Sequence, residues 1–206
     1  MTLHEMPTLD RILGLLEAAI EDYHVRDRWD SPCPPAFAAG SLEQAWYAKA
    51  WIDTVQWHLE DEVRRTDLAA EDLLAIKRRI DALNQERTDA VEDLDRRMAA
   101  LLQPEASGNG VLRTESLAWA LDRLCILQLK RYHLRAEVSR SDADGEHVAA
   151  CSARLAAADA QHADLMSACS TLWAELASGA VRYTPYRQFK LYNDPATNPA
   201  LYGGQG

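Results

Sequence analysis

Glycine and proline are scarce in this chain, 9 and 8 of 206 residues, together well below the roughly 12% of average usage. That scarcity excludes collagen-like and low-complexity classes and leaves few places for chain reversal. Cysteine is rarer still. Cys33, Cys125, Cys151 and Cys169 show no CxxC pair and no zinc-ligand spacing, and Cys151 and Cys169 lie too far apart on one predicted helix to bridge. They read as reduced thiols of a cytoplasmic protein. Long apolar runs are missing: no charge-free stretch exceeds twelve residues, against about 18 needed to cross a bilayer. The opening MTLHEMPTLDR has no basic region ahead of an apolar core. Neither export nor a membrane span is expected. Positive charge is in deficit, with 22 Lys and Arg against 32 Asp and Glu and a net charge of −10. Such a field repels a phosphate backbone and argues against nucleic acid as a partner. Period-two alternation, Gly-rich phosphate loops, HExxH and a nucleophile elbow are absent too.

What remains is rich in helix formers at steps of three and four. A first helix is predicted over about 9–28, with Thr8 as N-cap and Ile12, Leu16, Ala19, Ile20 and Tyr23 on one face. The proline-rich loop DSPCPPAFAAG follows. Ser41 with Gln44 then makes a capping-box start to a helix reaching about Arg65. Thr66 is the expected cap of the longest helix, about 67–103, whose Ile80, Leu83, Leu94 and Met98 form a bundle seam. A fourth helix is predicted over about 115–140 and a fifth over about 146–178, the latter packing along its length. Beyond Gly179 the periodicity stops. The expected fold is all-α, one antiparallel bundle of about five helices spanning 1–206, with residues 180–206 as an irregular arm laid over it.

Function is sought where polar residues interrupt the seams. Arg87 falls in the apolar series of the third helix, where a charge costs several kcal/mol unless paired. On the fourth helix Asp122 and His133 share a face, since eleven residues at about 100° each return within about 20° of the start. His58 follows the inward steps of the second helix, with Asp61 on its shoulder. Three helices thus aim ionisable groups at one interior, where Arg87 and His133 are expected to meet His58 around a common hollow. In the catalytic reading His58 and His133, tuned by Asp61 and Asp122, transfer protons. Arg87, flanked by Asn84 and joined by Gln188, Lys190 and Asn193, binds an anionic small molecule such as a carboxylate or phosphate. In the structural reading an interhelical salt bridge from Arg87 to Asp122 fixes helix register and does no chemistry. The rival class is a noncatalytic interaction or metabolite-binding bundle, and a homodimer is compatible with either. His162 reads as a neutral core histidine. A divalent ion on His58, Asp61 and Asp122 lacks a spacing signature, so no metal ligand is assigned and the cofactor stays unknown.

The segments WHLEDEVRR, IDALNQERTDAVEDLD, DRLCILQLKRYHL and YRQFKLYNDPATNP resemble, in this order, the bacterial family called domain of unknown function 4254. The resemblance puts weight on the positions matching His58, Asp61, Asn84, Arg87, Asp122, His133, Gln188, Lys190 and Asn193, and it implies no established activity. The serine that the family places before Ile126 is Cys125 here.

Overall fold

A computed structural model describes residues 6–102, 110–190 and 196–202. Its long helices are α1 (Leu9–Arg26), α2 (Leu42–Glu62), α3 (Ala70–Leu102), α4 (Leu117–Val138) and α5 (Gly145–Ala177), followed by the short α6 (Pro199–Tyr202). Among the described residues the only β pairing is a single bridge between Val111 and Val181. The fold is all-α, a helical bundle.

Local chemistry sets most boundaries. The Thr8 side chain accepts from the Arg11 amide at 3.2 Å and starts α1. Asp27 ends it, two residues before the expected end, because it turns left-handed at φ 48°, a conformation short polar residues tolerate, and its amide donates to the Tyr23 carbonyl. Ser41 caps α2 by accepting from the Gln44 amide. The capping box is half formed, since the Gln44 side chain reaches Phe37 N in the preceding loop at 2.8 Å instead of the cap. Thr66 does not cap α3. Arg65 grips both carboxylate oxygens of Asp67, at 3.0 and 2.7 Å, and that fork holds 65–67 in a turn, so α3 starts only at Ala70.

Side-chain pairs give the helix directions. Asp53 faces Arg87, Gln56 meets Asn84, and Arg97 reaches the Gly40 carbonyl just ahead of α2, so α2 and α3 are antiparallel. Arg131 with Asp159 and Glu137 with His147 make α4 and α5 antiparallel as well. By contrast Arg11 pairs with Glu43, Asp22 with Tyr47 and His24 with His58, so α1 and α2 run in the same sense. The loop between them returns the chain along α2, pinned where Trp51 donates to the Ser31 carbonyl and Gln44 to the Pro34 carbonyl. Lys49 with Asp122 and Trp57 with His133 give α4 the same direction as α2. The C-terminal ends of α1, α2 and α4 therefore lie together.

The core fills the space between α1, α2, α3 and α4, with Leu16, Trp46, Leu59, Leu83, Leu94, Met98 and Leu121 buried. The α5 helix lies outside, against α4, and buries only Cys151, Ala158, Cys169 and Leu176. Its expected seam is thus half exposed, because α4 is its principal partner.

Candidate functional site

Four charges occupy the interior between α2, α3 and α4. Lys49 is 0% exposed, and its Nζ lies 2.5 Å from Asp53 Oδ2 and 2.5 Å from Asp122 Oδ1. From the opposite side Arg87 Nε stands 3.1 Å from Asp53 Oδ1, and Arg87 Nη2 pairs with Asp122 Oδ2. Each carboxylate meets both cations and each cation both carboxylates. The result is a closed quartet of zero net charge, the arrangement under which buried ions are tolerated. Burial by itself would lower the Lys49 pKa. Asp53 first, then Asp122, outweigh it against the opposition of Arg87, and the ammonium is held charged well above its ordinary range. The Cys125 thiol donates to Asp53 Oδ2 at 3.0 Å. Burial pushes its pKa well up while Lys49 opposes this, so it stays a thiol and fills the donor role that a serine hydroxyl would fill.

The quartet is not sealed. A cavity of about 400 Å³ opens between α2, α3 and α4, with Asp53 and Arg87 on its wall together with Gln56, Trp57, Asp61 and Arg64. A second one, of about 310 Å³, reaches Asp122 from the other side, between Glu115, Trp119 and Gln188. Charged groups packed only to fix register need no such openings.

The two imidazoles gather elsewhere. His58 and His133 face α1, where His24 completes a cluster, and a ring nitrogen from each lies within 4.8 Å of the other two. His58 Nε2 stands 3.1 Å from His24 Nε2. His133 stacks on Trp57 with centroids 4.8 Å apart and planes 3° apart, so the indole separates the imidazoles from the cavity. Burial first, then His58 and His24, bring the His133 pKa down to about 4. Burial and His24 lower that of His58 too. The hollow expected to be shared by guanidinium and imidazoles is thus divided in two: Arg87 with Asp61 at the cavity, and the histidines behind Trp57.

The comparisons with known proteins add one finding. A family model described as protein of unknown function (DUF4254) matches residues 43–184, more than half of the chain. The chain belongs to the DUF4254 family. No curated protein and no solved structure matches it. The DUF4254 match covers the quartet, His58 and His133. It leaves out His24 on α1 and the arm from Pro185 onward, so the segment YRQFKLYNDPATNP lies outside it.

The arm runs back along α3. Tyr183 Oη donates to Asp95 Oδ1 at 2.7 Å and the Tyr186 amide to Asp95 Oδ2 at 2.9 Å, satisfying a fully buried carboxylate. The Gln188 amide donates to Glu92, and Lys190 Nζ to the Asn84 carbonyl at 2.6 Å. Burial first, then Arg87, lowers the Lys190 pKa. Asn84, Arg87 and Lys190 are therefore brought together and Gln188 lies at the second cavity, while Asn193 falls outside the described residues. Sequence reasoning missed Lys49, Asp53 and Asp95. The steps Leu42, Trp46, Lys49 and Asp53 were there to be read, but α2 is apolar on two faces, one for α1 and one for α3 and α4, and the second stripe was masked by the first. His24 was equally readable as the next step after Ile20, to whose carbonyl it bonds.

Proposed function

We propose that this protein is an enzyme for a small polar molecule held in the 400 Å³ cavity beside the quartet. One observation carries the reading: a largely buried, charge-balanced ionic cluster opens onto a cavity of ligand size, with Asp53 and Arg87 on its wall. Arg87 and Arg64 would receive an anionic group, a carboxylate or phosphate. Asp61 and Glu60 on the same wall would take hydroxyl or amine donors, and the Trp57 face would cover an apolar ring or chain. Asp61, at the cavity and outside the quartet, is the group assigned to proton transfer. The four cysteines, all free, support a reducing, cytoplasmic setting. No described helix is long and apolar enough to cross a membrane.

A second reading, a binding bundle without turnover, is favoured by the quartet's internal neutrality, which leaves Arg87 already partnered. Thermal shift with inorganic phosphate, citrate and a sugar phosphate tests the pocket. At least one should raise Tm, and Arg64→Ala, which leaves the quartet intact, should weaken its binding about tenfold to a hundredfold, as expected for a lost charged hydrogen bond. Asp61→Asn that abolishes turnover while ligand still binds establishes the enzyme. Ligand binding with no turnover of any probe favours the second reading, and no shift with any of the three overturns the pocket.

A further inference from the structure

The histidine cluster behind Trp57 is outside the proposed ligand cavity, and neither the quartet nor the arm uses it. We infer that His24, His58 and His133 form a three-histidine site for a divalent transition-metal ion of the zinc class, with one coordination position left open. Geometry carries this. The ring centroids form a nearly equilateral triangle with sides of 5.0, 5.2 and 5.3 Å, and the three interplanar angles are 64°, 63° and 67°. A tetrahedral ion with metal–nitrogen distances of about 2.0–2.1 Å places imidazole centroids about 5 Å apart and ligand nitrogens about 3.3 Å apart. The 3.1 Å between the Nε2 atoms of His24 and His58 already approaches the second value.

The protonation pattern agrees. His24 Nδ1 lies 2.7 Å from the Ile20 carbonyl, which can only accept, so Nδ1 carries the proton and Nε2 presents its lone pair, the usual outer-shell arrangement of a metal-bound histidine. Without an ion, His58 Nε2–H can satisfy that lone pair, but His133 Nε2 is buried with no hydrogen-bond partner. An orphaned buried nitrogen costs about 1–3 kcal/mol, and an ion at the centre would satisfy all three nitrogens at once. Each ring is held by an aromatic neighbour: Tyr23 stacks on His58 at 4.9 Å, Tyr132 lies 4.3 Å from His24, and Trp57 covers His133.

The electrostatics favour a cation. Ligation needs the neutral imidazole, and the surroundings of the rings suit a dication. Around His58 and His133 the charged groups outside the cluster are acids on each element: Asp27 at the end of α1, Asp61 and Glu62 on α2, and Glu137 on α4. The three parallel helices also converge here with their C-terminal, partially negative ends.

The test uses the full chain, stripped with a chelator and titrated with Zn²⁺ and Co²⁺. One equivalent should bind, Co²⁺ should develop the visible absorption of a low-coordinate nitrogen site, and Tm should rise. His24→Gln, His58→Gln and His133→Gln should each weaken Co²⁺ binding beyond the 10–100-fold typical of losing an outer-shell group. His162→Gln, on α5, should leave it unchanged. Should the His133 variant fail to fold, as judged by circular dichroism, His24→Gln near the end of α1 decides the matter. No uptake of either ion, or uptake that the His24 and His58 variants leave intact, overturns the site.

Discussion

At the scale of single residues, an ionisable group's environment decides its chemistry. His162 illustrates this away from the candidate sites. Burial first, then Arg131 across the α4–α5 contact, lowers its pKa below the ordinary 6.5; Arg135 adds to this, while Asp159 and Glu17 oppose it. Its Nε2 is buried without a partner, as befits the neutral histidine read from the α5 seam. The folded pKa is depressed, so between pH 6.5 and that lower value the unfolded chain binds more protons than the folded one. The stability contribution is intact above pH 6.5 and is lost as pH falls toward the folded pKa. Urea unfolding of wild type and His162→Leu at pH 7.5 and pH 5 should show a smaller acid loss in the variant. Equal losses would remove His162 from the account.

Among elements, caps and close approaches matter more than periodicity. The five long helices were legible because steps of three and four persist over 18 or more residues, whereas the four-residue α6, inside the segment expected to be irregular, is too short to show a period. Ends moved by two or three residues where the backbone turned left-handed, as at Asp27, or where a side chain gripped a neighbour, as Arg65 does Asp67. The start of the arm depends on Gly110. A Cβ there would lie 2.6 Å from Arg182 N and 2.8 Å from the Val181 carbonyl carbon, backbone atoms that cannot yield. Gly110 thus lets Val111 exchange hydrogen bonds with Ala180 and Arg182, each at 3.0 Å. Gly110→Ala should detach the arm's first residues, lower stability by about 1–3 kcal/mol and speed proteolytic cleavage beyond Gly179. A variant as resistant as wild type would mean that the arm is anchored without this approach.

For the molecule as a whole, the quartet ties α2, α3 and α4 into one unit. Removing one member leaves an unbalanced buried charge, so Lys49→Met should cost about 3–5 kcal/mol in denaturant unfolding. Replacing all four members by apolar residues of similar volume should recover most of that loss while emptying the cavity wall of Asp53 and Arg87. A cost under about 1 kcal/mol for the single change would mean that the ions are not buried as a network. The sequence alone determined the class of fold and the helices, because periodicity is a local property and each helix carries its own apolar stripe. It also marked Arg87, Asp122, His58 and His133 as inward, because those positions break a stripe that is otherwise apolar. Only the tertiary structure decided which of them meet. The return of the loop after α1 makes α1 parallel to α2 and α4, which brings His24 beside His58 and His133, while the antiparallel α3 delivers Arg87 to Asp53 and Asp122 on the far side of Trp57. A residue's face follows from its own neighbours in the chain, but its partner depends on the direction and rotation of a second helix, which no local spacing encodes.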